Sequence, residues 1–242
     1  MVRFRVGKSY RFKRMKVAAI IFSRMASSRL PGKALRHIAG EPLIKRVINR
    51  VSKVKKLSTV VVATSNSKND DKLVEYIQSL NIEVFRGAAH DVLNRAVSCA
   101  SYLGVDKFIR INGDSPLIDP ELLEKGIEMW REPNLDLISN VFPRTYPVGT
   151  SVEIIKTDSL KKILSLTVDS CDREHVTRFF YRNPEKFRIL NFESGRSELR
   201  EVRLAVDTEE DLERIDWLFK EFGGLINFEM AAEKSSLWSS VE

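Results

Sequence analysis

Short apolar runs recur along the first half of the chain and predict buried strands. Val17–Phe22 contains only Val, Ala, Ile and Phe, and residues 59–64, 82–85 and Lys107–Asn112 are also rich in apolar or β-branched side chains. Continuous runs of this length are typical of parallel strands that are covered on both faces. We therefore predict four strands of one sheet.

Segments with apolar residues at helical spacing separate these strands. A helix is predicted to open near Pro42, and the same spacing recurs over residues 70–80 and 91–103. Strands that alternate with amphipathic helices need right-handed crossovers, which give a mostly parallel sheet with helices on both faces. The predicted fold class is α/β and Rossmann-like, with ligands at the carboxyl ends of the strands.

The second half of the chain is less regular. We predict strands at residues 135–141, 151–155, 187–192 and 202–206, and helices at 158–166, 172–181 and 208–222. Residues 225–242 are weakly patterned, which fits either a short helix or a frayed end. No repeat or Pro/Gly/Ser-rich linker divides the chain. We predict one domain (17–222), a basic amino-terminal extension (1–16) and a carboxyl-terminal tail (223–242).

The charge of the chain is concentrated in that extension. The chain of 242 residues carries a formal net charge of +7, and residues 1–16 contain seven basic residues and no acid. The remaining chain is therefore neutral, which argues against a nucleic-acid-binding protein. We expect the extension to be a flexible arm, although an added strand or a dimer contact is also open.

Hydropathy and cysteine content indicate a globular protein of the cytoplasm. Hydrophobic residues make up 43% of the chain, which argues against disorder. No apolar run approaches the roughly 20 residues that cross a bilayer, so we expect no membrane association. Cys99 and Cys171 have no metal-ligand or redox spacing, and we expect them to stay unbridged.

The loop after the first strand has the composition of a phosphate site. Residues 23–33 (SRMASSRLPGK) contain two arginines, one lysine and three serines. Guanidinium forks, a mobile ammonium group and turn N–H groups all bind phosphate oxygens. The spacing is not that of a Walker loop. The charges alone leave a solvated basic loop equally open.

Two aspartates are candidates for a magnesium site. Asp114 follows a strand and Gly113, which places its carboxylate at the sheet edge. Mg²⁺ prefers carboxylate and phosphate oxygens, and Asp207 could supply a second carboxylate from another loop. Asp207 could instead serve the cap of the last helix, but we assign that cap to Thr208 and Asp211.

The order of several strings resembles the sugar-activating cytidylyltransferases, which include CMP-Kdo synthetases, CMP-sialic acid synthetases and the SpsF-like branch. The first strings, at residues 24–33 and 39–44, are RMASSRLPGK and AGEPLI. Further matching strings lie at residues 61–65, 84–87, 91–95, 111–119, 173–177 and 206–212. The resemblance covers residues 17 to about 222, and it implies a fold of the nucleotide-diphospho-sugar transferase type.

The resemblance also implies roles in nucleotide binding. The triphosphate would be held by Arg24, Ser28, Arg29 and Lys33, with Arg24 and Lys33 nearest to the phosphates that leave. The base and ribose would lie near Ser65, Asn112 and Arg95. Asn112 stands where CMP-Kdo synthetases carry glutamine, so the amide is kept with a shorter reach. The catalytic set implied is Arg24, Lys33, Asp114 and Asp207, with Asp114 and Asp207 on Mg²⁺.

Five residues of the second half are candidates for the pocket of the accepting sugar: Arg144, Tyr146, Glu153, Arg173 and His175. An arginine fork is the natural partner of the carboxylate of an acid sugar. Glu153 could accept hydrogen bonds from sugar hydroxyls or the proton of the attacking hydroxyl. His175 is placed in a helix, where a histidine is more often structural, and only the resemblance of the string 173–177 favours a role in the site.

The implied reaction is the activation of an acid sugar, a 3-deoxy-ulosonic or nonulosonic acid, by CTP in the presence of Mg²⁺. Its products would be a CMP-sugar and pyrophosphate, and the family resemblance suggests a homodimer. Two alternatives remain: a glycosyltransferase that uses a nucleotide sugar, and an inactive nucleotide-binding protein. Glycosyltransferases typically carry a D-x-D pair. The string 113–116 (GDSP) lacks the second acid of such a pair, which argues against the first alternative.

Overall fold

The computed structural model describes residues 16–238. The predicted basic extension therefore lies outside the described residues, except for Lys16. Within them, the chain forms a seven-stranded sheet and a separate two-stranded hairpin. The strands are β1 (Val17–Phe22), β2 (His37–Ile38), β3 (Glu41–Pro42), β4 (Leu57–Ser65), β5 (Glu83–Gly87), β6 (Lys107–Asn112), β7 (Leu137–Ser139), β8 (Glu153–Lys156) and β9 (Ile189–Asn191).

The large sheet has the strand order β5-β4-β1-β6-β8-β7-β9. Strands β5, β4, β1 and β6 are mutually parallel. Strand β8 is antiparallel to both of its neighbours, and β9 is parallel to β7. The carboxyl ends of β1, β4, β5 and β6 therefore lie at one edge, together with the amino end of β8. The mostly parallel α/β fold is confirmed.

Two hydrophobic cores cover the two faces of the sheet. Val17, Ala19 and Ile21 of β1 belong to one core, and Ala18 and Ile20 to the other. This division follows from the period of two along a strand, which turns successive side chains to opposite faces. A strand covered on both faces needs apolar residues at every position, as β1 has.

Helices pack on both cores. They are α1 (Leu43–Val51), α2 (Asp71–Ser79), α3 (Val92–Tyr102), α4 (Pro120–Met129), α5 (Thr157–Leu166), α6 (Ser170–Glu174), α7 (Arg178–Arg182), α8 (Glu209–Phe222) and α9 (Phe228–Ser235). Residues of α1, α2, α4, α8 and α9 enter the first core, and residues of α3, α5 and α7 enter the second. None of the helices between residues 16 and 238 is long and apolar enough to cross a bilayer.

Helix α8 begins as the sequence predicts. The Thr208 hydroxyl accepts a hydrogen bond from the N–H of Asp211, and the Asp211 carboxylate accepts one from the N–H of Thr208. This reciprocal cap satisfies two backbone donors that a helix start leaves without partners. The cap prediction is confirmed: the N–H of Asp207 also donates to Asp211, but the Asp207 carboxylate takes no part in the cap.

Residues 202–206 are extended but do not form the predicted strand of the sheet. The N–H of Leu204 donates to the carbonyl of Val148 at 2.7 Å, and that of Val206 donates to the carbonyl of Asp114 at 2.9 Å. The segment thus bonds to two loops instead of to a strand. Gly149, with φ +104°, allows this approach, because a Cβ there would lie 2.6 Å from the backbone nitrogen of Ala205.

Two helix predictions also differ from the structure. Helix α4 was not predicted, although Asp119 caps it and Pro120 occupies its first turn. The predicted helix over 172–181 is two helices, α6 and α7, because the chain leaves helical geometry at His175 (φ −105°, ψ 85°). The break buries Val176 and turns Thr177 toward the carboxylate of Glu153.

The predicted tail contributes to the first core as far as the structure describes it. Ile226, Phe228, Ala231 and Ala232 are buried there. The Phe228 ring meets the Tyr146 ring edge to face, with centroids 5.6 Å apart. Of the two forms that the weak pattern left open, the short helix is present as α9.

The two cysteines are unbridged, as expected, and differ in accessibility. Cys99 is buried in the second core, and burial raises the pKa of its thiol to about 12. Cys171 is exposed. Since the thiolate is the reactive form, a maleimide at about pH 8 should label only Cys171 in the folded protein and both thiols after denaturation. Mass spectrometry would check this. Rapid labelling of Cys99 in the folded Cys171→Ser variant would contradict it.

Candidate active site

The loops after β1 and β6 meet at the point where the order of the parallel strands reverses. Strand β1 lies between β4 and β6, and the chain crosses β1 after β5 to begin β6. Such switch points are where open α/β sheets bind ligands. Gly113 makes the close approach possible, because a Cβ there would lie 2.6 Å from the Cβ of Ser23 and 2.8 Å from the carbonyl oxygen of Phe22.

The buried carboxylate of Asp70 fixes the loop 23–33 to the end of β4. One oxygen accepts the N–H of Met25 at 2.7 Å, and the other accepts the Thr64 hydroxyl at 2.8 Å together with the N–H and hydroxyl of Ser65. Burial alone would raise the pKa of Asp70, but these hydrogen bonds hold it below its ordinary value. Asp70 is therefore an anion that anchors the loop.

Lys33 joins the two predicted metal ligands. Its ammonium nitrogen lies 2.9 Å from Oδ2 of Asp114, 3.0 Å from Oδ1 of Asp207 and 2.8 Å from the carbonyl oxygen of Val206. The short helix Lys33–Leu35 presents this side chain after Gly32, whose φ is +73°. The structure thus brings Asp114 and Asp207 to one cation, the last residue of the loop 23–33.

Further cations surround Asp207. Arg29 contacts its Oδ1 at 2.9 Å, and Arg203 contacts its Oδ2 at 3.0 Å. Burial alone would raise the pKa of Asp207, but the hydrogen bond and charge of Lys33, with the charges of Arg29 and Arg203, lower it. Asp207 is ionised at neutral pH, as a metal ligand must be.

The donor set suits a magnesium ion. The three oxygens that surround the Lys33 ammonium, two from carboxylates and one from a carbonyl, are hard donors of the kind that Mg²⁺ prefers. Among residues 16–238, no group of three or more His, Cys, Asp and Glu side chains could hold a metal. A pair of carboxylates is nevertheless sufficient for Mg²⁺, which commonly takes its remaining ligands from substrate phosphates and water.

The aspartate pair opens onto a cavity of about 390 Å³, which we call the aspartate cavity. Arg24, Ser28, Arg29, Lys33 and Arg95 also line it. The Arg24 guanidinium contacts Glu174 of α6 at 2.8 Å, so its charge has a counter-ion.

Arg95 reaches this cavity across Gly87. The buried Arg95 donates to the carbonyl of Ala88 at 2.8 Å, and a Cβ on Gly87 would lie 2.9 Å from Cγ of Arg95. Burial lowers the pKa of Arg95, and the nearby charge of Arg24 lowers it further. A guanidinium nevertheless stays charged at neutral pH.

A second cavity of about 420 Å³ adjoins the first and is rich in arginine, and we call it the arginine cavity. Arg110 and His175 line both cavities. Asn112, Arg144 and Glu153 line only the second, so Asn112 lies on the side of the predicted acceptor pocket. His175 is exposed and lies just beyond α6, not in a helix as expected.

Glu153 is not free to meet a substrate. Its Oε2 accepts from Arg110 at 2.5 Å and its Oε1 accepts from the Tyr181 hydroxyl at 2.7 Å. Burial alone would raise the pKa of Glu153, but the charge of Arg110 and hydrogen bonds from Tyr181 and Thr177 lower it. This anion organises its neighbours and is a poor proton acceptor, which corrects the role expected from the sequence.

Three predicted site residues lie outside both cavities. Ser65 is buried and bonded to Asp70. Tyr146 is buried in the first core, and its hydroxyl donates to the carbonyl of Glu193. Arg173 donates to the Asp91 carboxylate at 3.0 Å and to the carbonyls of Thr167 and Leu164. Their contacts give all three a structural role.

Sequence reasoning did not identify Asp70, Arg110, Glu174 and Tyr181. Arg110 had a signal, because it is a charged residue inside the otherwise apolar part of β6. A charge that interrupts a buried strand needs a partner, and here it is Glu153. The contact between Glu174 and Arg24 joins residues 150 positions apart, which no local pattern reveals.

The chain resembles known cytidylyltransferases over most of its length. Residues 18–235 match the family model described as cytidylyltransferase. The chain is 31% identical over 210 residues to the spore coat polysaccharide biosynthesis protein SpsF of Bacillus subtilis. The matched region covers 84% of this chain and 86% of that protein. The chain is also 31% identical over 191 residues to the 3-deoxy-manno-octulosonate cytidylyltransferase of Geobacter metallireducens. That match covers 77% of this chain and 67% of that protein.

A solved structure gives the same result. The cytidylyltransferase from Leptospira borgpetersenii matches with a TM-score of 0.88 and 29% identity, over 94% of this chain and 96% of that chain. The comparisons confirm the resemblance that the sequence strings indicate.

Replacing Lys33 with Met should destabilise the fold by about 2 kcal/mol near pH 7, because two adjacent carboxylates lose their shared cation. Asp207 contributes stability above its ordinary pKa of 3.8, and that contribution disappears as pH falls through its lowered pKa. The difference from wild type should therefore shrink as pH falls toward 3. Urea unfolding at both pH values would measure this.

The exposed Lys53→Met is the matched control and should leave the free energy of unfolding unchanged. Equal stability of Lys33→Met and wild type near pH 7 would contradict the bridging role of Lys33.

Proposed function

The chain belongs to the cytidylyltransferase family, and we propose that it activates an acid sugar by transferring the cytidylyl group of CTP to a sugar hydroxyl. It is a nucleotidyltransferase, and the proposed products are a CMP-sugar and pyrophosphate. The observation that carries the proposal is the cluster of Asp114 and Asp207 around Lys33, beside the loop 23–33 and a cavity.

The aspartate cavity is the proposed site of the triphosphate. Arg24, Arg29 and Lys33 converge there from a single loop that Asp70 anchors, so their charges are placed before a ligand binds. Preorganised cations stabilise the charge that develops on a departing pyrophosphate without the cost of reorganising solvent. Phosphoryl transfer depends largely on such positioning and electrostatics.

Asp114 and Asp207 would hold a magnesium ion, which suits their carboxylate oxygens, once the Lys33 ammonium that they now share turns to the phosphates. When bound, the ion would neutralise charge on the phosphate oxygens.

The arginine cavity is the proposed site of the acid sugar. Arg144 lines it and donates to the carbonyl of Pro147 at 3.4 Å and to the Ser151 hydroxyl at 3.1 Å. Both acceptors are neutral, so they leave the positive charge of Arg144 available to a carboxylate. A guanidinium fork binds a carboxylate through two parallel hydrogen bonds. Arg144 is therefore the proposed clamp of the sugar acid group.

In the proposed reaction, the sugar hydroxyl oxygen bonds to the α-phosphorus of CTP while the bond from that phosphorus to the β-bridging oxygen breaks. The electron pair of the broken bond leaves with pyrophosphate, and the hydroxyl proton passes to solvent. Arg24, Arg29 and Lys33 would face the leaving group. The homodimer and the cytoplasmic location remain predictions.

The first test combines each of the four nucleoside triphosphates with a panel of sugars and follows pyrophosphate and the nucleotide-sugar product. We expect pyrophosphate with CTP and an acid sugar such as Kdo, 8-amino-Kdo or a sialic acid, and little with the neutral sugar controls. An inactive binding protein would give no pyrophosphate from any pair. Cleavage of a CMP-sugar with transfer of the sugar would instead support a glycosyltransferase.

The second test replaces Asp114 with Asn, which keeps the size of the side chain and removes its charge. The rate should fall by at least about 100-fold, because a charge aligned with the reacting phosphates is lost. The melting temperature should stay close to that of wild type, since the amide oxygen can still accept from Lys33. Asp158→Asn, at a side chain that is 80% exposed, is the control, and a near-normal rate for Asp114→Asn would exclude the proposed role of Asp114.

A further inference from the structure

Arg110 lies where the two cavities join. It is the fourth residue of β6, directly opposite Glu153 of β8 in the register of the sheet. Its side chain is 18% exposed and lines both the aspartate cavity and the arginine cavity. Among residues 16–238, His175 shares this position, but it is exposed and lies between two short helices. Arg110 extends from a strand and is the more rigidly mounted of the two.

A chain of hydrogen bonds fixes the Arg110 guanidinium. Its Nη1 contacts Oε2 of Glu153 at 2.5 Å, Oε1 of Glu153 accepts from the Tyr181 hydroxyl at 2.7 Å, and that hydroxyl lies 2.9 Å from Oγ of Ser139. The Tyr181 ring stacks on Phe142 with centroids 4.9 Å apart. Glu153 is only 2% exposed and carries its charge, so it can hold the guanidinium in one orientation.

The hydrogen bond from Nη1 to Glu153 does not use all the donors of Arg110. A guanidinium has five N–H donors. The Nε atom of Arg110 is buried and has no hydrogen-bond partner in the described part of the chain. The Nε atoms of Arg50, Arg95 and Arg214 are also buried without a partner, so this feature alone does not distinguish Arg110. A well-packed apolar pair in place of Arg110 and Glu153 would stabilise the fold equally well.

We infer that Arg110 is a catalytic residue that contacts the transferred phosphoryl group of the nucleotide, and that Glu153 is the positioning residue that aims it. The inference rests on the proposed function. With the triphosphate beside Arg24, Arg29 and Lys33 and the acceptor beside Arg144, the α-phosphorus must lie between the two cavities. Arg110 is the rigid cation at that junction.

The role of Arg110 is electrostatic. The acceptor hydroxyl oxygen forms a bond to the α-phosphorus, the bond to the β-bridging oxygen breaks with its electron pair on pyrophosphate, and the hydroxyl proton passes to solvent. Charge on the nonbridging α-oxygens changes during this exchange, and a fixed guanidinium stabilises it without reorganising.

The test uses the double variant Arg110→Gln with Glu153→Gln. Removing Arg110 alone would leave a buried carboxylate without its partner and could unfold the protein, whereas the two amides can bond to each other. The double variant should melt near the wild-type temperature and bind CTP with the wild-type dissociation constant by calorimetry. Its kcat should fall about 100-fold with KM for CTP unchanged, as for the loss of one transition-state donor.

Two further variants separate positioning from structure. Glu153→Gln keeps Arg110 but holds it with a neutral amide, and it should lose less of kcat than the double variant, with no change in CTP affinity. Arg196→Gln with Glu198→Gln removes an exposed ion pair of the same composition, and it should change neither kcat nor the melting temperature.

The outcomes distinguish the inference from the proposed function. If wild type releases no pyrophosphate from CTP with any acid sugar, the proposed function fails and the inference fails with it. If wild type is active and the folded double variant has a near-normal kcat, only the inference is overturned. It is also overturned if the loss lies in CTP affinity, or if the melting temperature falls while kcat holds, since either result makes Arg110 a binding or structural residue.

Discussion

One ammonium group makes it possible for two carboxylates to share a small space. Asp114 and Asp207 would repel each other if they met unaccompanied, and Lys33 lies within 3.0 Å of both. The same nitrogen also donates to the carbonyl of Val206, so it ties together the loop after β1, the loop after β6 and the segment before α8. A cation is therefore a structural requirement at this point, which is also where the reaction that we propose needs one.

The arrangement of the strands explains why two cavities lie side by side. Strand β8 runs antiparallel to β6, so its first residue, Glu153, lies at the edge where β6 ends. That placement puts Glu153 opposite Arg110 and lets one ion pair form the boundary between the cavities. A fully parallel sheet would bring the amino end of β8 to the far edge and leave this boundary without its carboxylate.

Much of the site was predictable because it depends on local sequence. The strands β1, β4, β5 and β6 carry continuous or alternating apolar runs, and the rule that ligands gather at their carboxyl ends placed loop 23–33 and Asp114 together. The cap by Thr208 and Asp211 follows from a spacing of three residues. These features are fixed by neighbours in the chain, and the resemblance to the cytidylyltransferases then supplied roles for them.

The errors have a different physical origin. Residues 202–206 have the composition of a strand, but their hydrogen bonds go to two loops, and only tertiary packing decides that choice. Tyr146 and Arg173 have the chemistry of binding residues. Tyr146 is nevertheless buried in the first core, and Arg173 pairs with the Asp91 carboxylate. Glu174 escaped notice because its partner Arg24 is 150 positions away. The prediction of one continuous helix over 172–181 was wrong, because the chain breaks between α6 and α7, where Val176 is buried.

The span of chain that Lys33 bridges has a consequence for biosynthesis. Lys33 and Asp207 are 174 positions apart, and Asp207 reaches its place only when residues 202–206 lie against Val148 and Asp114. Contacts of such sequence separation form late, because the intervening loop must first be closed. A nascent or truncated chain that ends before Arg203 lacks both Arg203 and Asp207 and cannot assemble the full charge cluster. The charge cluster is thus complete only once the segment that carries Asp207 has been synthesised.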